Sequence, residues 1–419
     1  MRTFAAPVRI INMRSVILFA AAVLCSSAAM AQSGRTANDQ SRTQPSKPVP
    51  IPLQLDMRVP FEPTAFPSDS RTHLLYELHL TNFTASPSYV SRIEVIDPDA
   101  VAQPIAAFPA DQLGSMSQPV GGKTTAGPEG SLSIPGGRTL VVFMSIAFDN
   151  NSHVPARLIH RVITAESSAE GAVIATHHTS LHLLGPPLEG PNWLAADGPG
   201  NDPDNHHRRG IFVIDGRAVI SRRYAIDWKQ VEHGTSFSGD PRDTRSYYSY
   251  GKPVLAVADG LVVTARDGLP DNIPGHNEAF HPAVPITFDT IAGNTVTIDL
   301  GGEQFAYYLH MQPGSVRVKA GERVRRGQLM GRVGCSGDAR EPHLHFEVTD
   351  SSKLGAGEGL PYLIDKYSIM TENGGAEGLH TRELPLNNSL VDFGGSKEFK
   401  ALNNQFALPF ASLCAFVSS

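Results

Sequence analysis

Short apolar runs, each closed by glycine, proline or another turn residue, dominate the sequence and most limit its possible folds. The chain has 419 residues, of which 38 are glycine and 32 are proline. Turns this frequent leave little room for long helices and favour many short strands. Between residues 49 and 184 apolar and polar side chains alternate, as in His73–Leu80, Tyr89–Val95 and Thr139–Met144. This pattern predicts an N-terminal antiparallel β-sandwich of the immunoglobulin-like type.

A proline- and glycine-rich segment separates this region from a second one with the same strand-like pattern. Residues 185–204 have the composition of a linker. Residues 205–350 return to short apolar runs and include an Asp-Gly turn at 215–216, which predicts a β-hairpin. Residues 351–419 show no clear pattern and are predicted to be a tail that packs on the second domain. The chain is therefore predicted to be mainly β.

The first 31 residues have the three parts of a secretory signal peptide. Basic residues precede an apolar run, Val16–Leu24, and Ala29–Ala31 offers an A-x-A cleavage site. The apolar run is too short to cross the roughly 30 Å of a bilayer's hydrocarbon core. Residues 32–48 are polar and predict a flexible leader. We therefore expect an exported protein, periplasmic or extracellular, with no membrane span.

The overall composition excludes several classes of protein. The formal net charge is −6, which argues against a strongly basic surface for nucleic acid. Hydrophobic residues make up 41% of the chain, enough for a packed core. Two cysteines, Cys335 and Cys414, would remain after cleavage of the signal peptide. An oxidising compartment permits them to pair, and two separate thiols are the alternative.

The segment Pro342–Val348, with the sequence PHLHFEV, is the strongest local signal of chemistry. Residues two apart in a strand point to the same face, so His343 and His345 would project together. Two imidazoles about 6–7 Å apart suit one zinc ligand and one neighbouring acid or base. Two further polar residues, His310 and Asp227, end apolar runs elsewhere in the second domain. Taken singly each residue is commonplace, and their combination is what indicates a metal site.

Several ordered segments of this domain resemble the lysostaphin/LytM-type zinc metallopeptidases, many of which cut peptide crosslinks of bacterial cell walls. The matching segments are Tyr250–Gly260, Tyr308–Met311, Val318–Gly331, Gly334–Gly337 and Pro342–Glu347. The resemblance that they carry extends over about a third of the chain. The resemblance implies an antiparallel β-sheet peptidase domain at residues 205–350, one zinc ion, and peptidoglycan peptide or another peptide as substrate.

The resemblance also implies roles for individual residues. Asp227 and His345 match metal ligands of the family, and His310 and His343 match the two histidines that flank the metal-bound water. Such a set is chemically coherent, because zinc activates water and polarises a carbonyl while imidazoles transfer protons.

One position departs from the family pattern. Arg223 stands where the family has its first histidine ligand, and a guanidinium cannot ligate zinc. If the strands of the 215–216 hairpin continue, His206 or His207 comes within reach of Asp227, depending on the length of the turn. The sequence also resembles a subgroup of the family in which this arginine recurs. We therefore predict His207 as the third ligand, with His206 as the alternative.

A degenerate site is the remaining possibility at that position. In either case Arg223 is predicted to pair with Asp227 or to hold a substrate carboxylate. The sequence therefore predicts an exported zinc metalloendopeptidase acting on peptidoglycan. The alternative is a catalytically degenerate relative that binds peptidoglycan or a partner protein.

Overall fold

The structure is a computed structural model, and it describes residues 51–100, 103–121, 125–149, 152–371 and 375–395. The predicted signal peptide (1–31), the predicted leader (32–48) and Cys414 lie outside the described residues. Described residues from Pro52 onward belong to one compact unit. The described part of the chain is mainly β, as the sequence predicts.

The N-terminal region consists of two antiparallel sheets and one short helix. Its elements are β1 Leu55–Arg58, β2 Phe66–Ser68, β3 Arg71–Asn82, β4 Ser88–Ile96, β5 Ala106–Pro109, α1 Ala110–Met116, β6 Ser117–Pro119, β7 Thr125–Ala126, a 3-10 turn Pro128–Gly130, β8 Leu132–Ile134, β9 Thr139–Asp149, β10 Arg157–Thr164 and β11 Ser168–Ala175. One sheet has the order β1-β3-β9-β6, with β2 on β3. The other has the order β11-β10-β4-β8-β7, with β5 on β4.

Side chains from both N-terminal sheets share one hydrophobic core. Leu74 and Leu78 of β3 are buried there with Met144 of β9, Val95 of β4 and Val162 of β10. The two-residue period of the strands accounts for this, because alternate side chains point to the same face. The region is thus a pair of packed sheets, and its immunoglobulin-like connectivity stays a prediction.

The second region contains one ten-stranded sheet and, among the described residues, three two-stranded sheets. The strands of the whole region are β12 Leu183–Leu184, β13 Trp193–Ala196, β14 Phe212–Ile214, β15 Arg217–Val219, β16 Ile226–Gln230, β17 Pro253–Leu255, β18 Gly260–Arg266, β19 Asn294–Gly301, β20 Gln304–Met311, β21 Arg323–Val324, β22 Leu329–Arg332, β23 Leu344–Thr349, β24 Leu363–Ile364, β25 Tyr367–Met370, β26 Ala376–His380 and β27 Leu390–Asp392, with 3-10 turns at Thr244–Ser246 and Asn277–Ala279. The two-stranded sheets are β12-β24, β14-β15 and β17-β22. The large sheet has the order β21-β18-β19-β20-β23-β16-β13-β27-β25-β26. Strands β20, β23 and β16 lie side by side in its middle.

The structure places strands in two segments for which the sequence predicted none. Strand β13 lies within the predicted linker 185–204 and pairs with β16. Strands β24 to β27 lie within the predicted tail, and β27 pairs with β13. These strands have two to five residues, too short for an alternating pattern to stand out between proline and glycine.

The hairpin that the sequence predicts around the Asp-Gly turn is present. Ile214 lies opposite Arg217, and this pairing requires a two-residue turn. Among the described residues, no helix combines the length and apolar character that crossing a membrane requires.

Truncation of Trp193 tests whether β13 is an integral strand of the large sheet. The side chain is fully buried, and its indole N–H donates to the carbonyl of Glu189 at 2.9 Å. We expect Trp193→Ala to lower the free energy of unfolding by about 3–5 kcal/mol, because it leaves a large cavity. Leu379→Ala, at a side chain that is 62% exposed, is the control and should change it by less than about 0.5 kcal/mol. Equal small effects in urea titrations would contradict this position for β13.

Candidate metal centre

Asp227 lies in the middle of the large sheet, directly opposite His345. Strand β16 runs between β13 and β23, and the register pairs Asp227 with Ala196 on one side and His345 on the other. Because cross-strand partners share a face, the two side chains meet. Oδ1 of Asp227 lies 2.9 Å from Nδ1 of His345, and both residues are buried. The neighbouring strands thus bring together two residues that are 118 positions apart.

His343 reaches the same carboxylate from the position just before β23. It lies two residues before His345, and its Nε2 is 3.4 Å from Oδ1 of Asp227. Its Nδ1 donates to the carbonyl of Glu341 at 2.7 Å, since a carbonyl can only accept. A neutral His343 therefore carries its lone pair on Nε2, the atom nearer Asp227.

His310 reaches the site through a β-bulge. Leu309 is the cross-strand partner of His345, so a regular strand would direct His310 to the opposite face. Between Tyr308 and Met311, however, two residues of β20 lie opposite one residue of β19. His310 has φ +65°, and its ring centroid lies 4.9 Å from that of His343. The bulge therefore returns His310 to the face that bears the other histidines.

The segment Gly334–Gly337 holds this bulge in place. The carbonyl of Ser336 accepts a hydrogen bond from Nδ1 of His310 at 2.9 Å. The hydroxyl of Ser336 donates to the carbonyl of Met311 at 2.8 Å. A side chain at Gly337 would collide with the backbone of Gly293, and Gly337 also has φ +71°. The sequence analysis missed this supporting role because it depends on contacts between distant segments.

His207 approaches Asp227 from a turn rather than from a strand. The hairpin ends at the pair Phe212 and Val219, so the predicted continuation of pairing to residue 207 does not occur. His207 is 1% exposed, and its Nδ1 donates to the carbonyl of Asp197 at 2.9 Å. Its Nε2 lies 3.4 Å from Oδ1 of Asp227 and has no hydrogen-bond partner among the described residues. A buried imidazole lone pair aimed at a carboxylate fits a metal ion.

His206, the predicted alternative, lies at the rim of the same site. Its side chain is 54% exposed, and its Nε2 is 3.9 Å from Oδ2 of Asp227. Its Nδ1 contacts a carboxylate oxygen of Asp197 at 3.1 Å. His206, His207 and Asp227 each offer a ligand atom within 4.8 Å of the others, a suitable set for a metal ion. Burial and the unpartnered Nε2 favour His207 over His206.

Arg223 has neither of the roles that the sequence suggested. The predictions that it pairs with Asp227 or holds a substrate carboxylate were wrong. It is buried, and its Nη2 lies 2.7 Å from Glu77 and 2.9 Å from Glu358. Its Nη1 donates to the carbonyl of Gly359 at 3.2 Å. The guanidinium is committed to these groups, does not pair with Asp227, and is not among the residues that line the cleft around Asp227. Glu77 is 146 residues away, so no local pattern indicated the pair.

Glu347 is a member of the site that the sequence analysis did not select. It follows His345 by two residues on β23 and shares its face. Its Oε2 lies 3.6 Å from Nε2 of His345, and neither atom has a hydrogen-bond partner among the described residues. A carboxylate beside the outer nitrogen of a ligating histidine fixes the orientation of the ring. The two-residue spacing was the signal that could have found it.

The pKa values of the site follow from burial and from Asp227. Burial disfavours the charged imidazole and lowers the pKa of His207 to about 4. Burial also holds the pKa of His310 well below its ordinary value. For His345 burial acts the same way, but the hydrogen bond with Asp227 and the nearby negative charge of Glu347 outweigh it and raise the pKa to about 9. Burial opposes ionisation of Asp227, yet His343 and His207 hold its pKa well below its usual range.

These side chains line a cleft of about 420 Å³. Its walls combine apolar side chains with charged ones, among them Phe288, Leu354, Arg222 and Arg340. Lys229, also in the lining, is paired with Glu341 at 2.8 Å. A cleft of this size and mixed lining suits a short stretch of peptide.

Comparison with known proteins gives a family for this part of the chain. The model of peptidase family M23 matches residues 245–355. Residues 245–355 therefore have the sequence of an M23 peptidase region. The match includes His310, His343 and His345, whereas Asp227 and His207 precede it. That the chain falls in an M23 subgroup with arginine at position 223 stays a prediction.

Two curated M23-like relatives have similar sequences. The peptidoglycan DD-endopeptidase ShyA of Vibrio cholerae is 35% identical over 33% of this chain and 26% of its own length. The glycyl-glycine endopeptidase ALE-1 of Staphylococcus capitis is 30% identical over 28% of this chain and 27% of its own length. The chain thus spans about a quarter of the length of these relatives.

Solved structures also resemble the M23 region. The catalytic domain of lysostaphin from Staphylococcus simulans shares 22% identity over 35% of this chain and 80% of that domain, with a TM-score of 0.21. At that score the likeness adds nothing to the assignment.

Metal binding by single variants distinguishes the two candidate histidines. With zinc as the probe, we expect about one ion per chain, because histidine and carboxylate donors suit it. We expect His207→Ala and His345→Ala to lose this ion, whereas His206→Ala keeps it. The measurement is zinc content after dialysis against a weak chelator. Loss in His206→Ala with retention in His207→Ala would reverse the assignment.

The raised pKa of His345 predicts a pH-dependent zinc affinity. A ligand must give up its proton before it binds a metal ion. Because the pKa of His345 is about 9, this imidazole is protonated near neutral pH in the metal-free protein. We expect zinc affinity to rise about tenfold per pH unit from 6.5 to 8.5 and to level off above about 9. Competition titrations would show it, and a constant affinity would contradict it.

Proposed function

We propose that this protein is an exported zinc metalloendopeptidase that hydrolyses peptide bonds of peptidoglycan. The observation that supports this most is the convergence of His207, His343 and His345 on the buried carboxylate of Asp227, with the ring of His310 beside that of His343. This convergence occurs in a cleft, partly within the region that matches peptidase family M23.

His207, Asp227 and His345 would hold the zinc ion. They offer two imidazoles and one carboxylate, a donor set that leaves a position open for catalysis. Bound zinc supplies a Lewis acid that polarises a carbonyl and lowers the pKa of water. His207 takes the part that a histidine at position 223 would have in the family pattern, and Glu347 orients the ring of His345.

His310 and His343 would move protons. Each donates its Nδ1 hydrogen to a carbonyl, of Ser336 and Glu341 respectively, so each neutral ring keeps a lone pair on Nε2. Such an Nε2 can accept a proton from water and later return it to a leaving amine. The left-handed backbone of His310 and the two carbonyl acceptors fix where these nitrogens point.

Three observations support the proposed substrate and location. Relatives in the family bear the name peptidoglycan DD-endopeptidase. The cleft contains apolar and charged side chains that suit a peptide with anionic groups. The first 31 residues have the composition of a secretory signal peptide, which would direct export of the protein.

Substitution of His343 tests the proposal directly. We expect His343→Ala to retain one zinc ion and to lose at least about 100-fold in the rate of peptide release, because a proton-transfer group is gone. Purified peptidoglycan is the substrate, and released peptides are measured by mass spectrometry. His281→Ala, at an exposed histidine that is not among the residues lining the cleft, should cleave at the unmodified rate.

Two outcomes would contradict the proposal. Equal cleavage by His343→Ala and the unmodified chain would refute the role of His343. Sedimentation of the zinc-loaded chain with peptidoglycan, without release of any peptide, would favour a relative that binds the wall and does not cut it.

A further inference from the structure

We propose that the N-terminal sheet helps to position the ligands of the metal centre. In this proposal Glu77 of β3 is a positioning residue for His207. Glu77 would act through Arg208, the residue that follows His207. The inference rests on the proposed function only in that it takes His207 to be a metal ligand.

Strand β3 is buried on both faces, which is unusual for a strand of a two-sheet sandwich. Leu74, Tyr76 and Leu78 face the N-terminal core. The alternate residue Leu75 belongs to the core of the second region, and Glu77 is only 3% exposed. Antiparallel sandwiches commonly leave their outer faces to solvent. Here the outer face of the sheet supports the segment that carries His207.

Arg208 docks this segment on the sheet. Its side chain is buried and forms a close ion pair with Glu77. Its Nη2 donates to the carbonyls of Tyr76 and Met144, each at 3.0 Å. These carbonyls belong to the adjacent strands β3 and β9, so one planar guanidinium is held by three groups at once. An arginine bound in this way has little freedom to shift.

The turn around His207 is short enough to transmit this constraint. Oδ1 of Asn205 accepts from the backbone N–H of Arg208 at 2.8 Å. The Asn205 amide also donates to the carbonyl of Gly198 at 2.8 Å. On the other side of the turn, the guanidinium of Arg209 lies 4.1 Å from the ring centroid of Phe143 on β9. His207 is thus fixed by neighbours on both sides that contact the rest of the protein.

The same carboxylate reaches the segment that carries Asp227. Arg223, four residues before Asp227, makes hydrogen bonds of 3.0 and 2.7 Å to Oε2 of Glu77. Glu358 accepts from Arg223 on its other side, so two carboxylates balance two guanidiniums. All four side chains are at most 4% exposed. Glu77 therefore connects the two segments that supply the proposed ligands His207 and Asp227.

The variant Glu77→Gln removes the charge and keeps the size of the side chain. We expect it to raise the dissociation constant for zinc at least tenfold, since loss of outer groups that orient ligands typically costs 10–100-fold in metal affinity. Affinity is measured on the full chain by competition with a chromophoric chelator. The unfolding midpoint of the metal-free chain is measured in parallel to separate positioning from stability.

Glu94→Gln is the matched control. Glu94 is also a largely buried glutamate of the N-terminal region, and it pairs with Arg161 at 3.0 Å and with Arg92 at 2.8 Å. It lies on β4, in the sheet that does not contain Glu77. We expect Glu94→Gln to lower the unfolding midpoint without changing the zinc dissociation constant. A purely stabilising role for Glu77 would give the same pattern in both variants.

A second variant covers the case in which Glu77→Gln does not fold. Arg208→Lys keeps the charge but cannot reproduce the planar, multiple hydrogen bonds, and we expect it to fold and to bind zinc at least tenfold more weakly. Unchanged zinc affinity in a folded Glu77→Gln or Arg208→Lys chain would overturn the inference. Loss of the fold in both would assign the cluster to folding and would also overturn it.

Zinc binding by the unmodified chain separates this inference from the proposed function. If the unmodified chain binds no zinc, the proposed function fails and the inference fails with it. If it binds one ion and Glu77→Gln binds equally well, only the positioning role of Glu77 is wrong.

Discussion

A buried carboxylate at the centre of the large sheet is the constraint on which the site depends. Asp227 is 5% exposed, and an isolated ionised carboxylate at such a position is very costly. His207, His343 and His345 surround this charge, with their nearest nitrogens 2.9–3.4 Å from one oxygen of Asp227, and His345 is hydrogen-bonded to it. Asp227 in turn raises the pKa of His345, while His343 and His207 hold the pKa of Asp227 well below its usual range. In the metal-free protein Nδ1 of His345 therefore donates to Oδ1 of Asp227.

The second organising feature is a sheet whose two faces are both buried. Alternate residues of β3 serve two cores, with Leu74 in the N-terminal core and Leu75 in that of the second region. On β9 the same division separates Val142 from Phe143, which packs with Ile220 near the hairpin. Two regions that share a sheet in this way cannot move apart without exposing apolar surface. This explains how a residue of the first region can influence the geometry of a site in the second.

Several features of the site could be read from the sequence because they are local. The two-residue period of a strand puts His343 and His345 on one face, and the Asp-Gly turn sets the pairing of Ile214 with Arg217. The resemblance to a peptidase family pointed to Asp227 and His310, and that resemblance is confirmed for residues 245–355.

The remaining features depend on contacts between distant segments, which no local pattern contains. The bulge at His310 follows from pairing with β19 and from the support of Ser336. Glu77, one of the two carboxylates that pair with Arg223, is 146 residues away in the sequence. Strand β13 was hidden between glycine and proline, although it pairs with the strand that carries Asp227. In each case the decisive neighbour is set by the register of the whole sheet.

The departure from the family pattern at position 223 and the approach of His207 are best understood together. An arginine at position 223 removes a possible ligand and introduces a buried charge that requires a carboxylate. Glu77 supplies that carboxylate and also pairs with Arg208, next to His207. Glu77 thus neutralises Arg223, which stands in place of the family's histidine. Through Arg208, Glu77 also holds the segment that carries His207. A histidine at position 223 would leave Glu77 with one guanidinium fewer, so the identity of residue 223 and the position of His207 are physically coupled through Glu77.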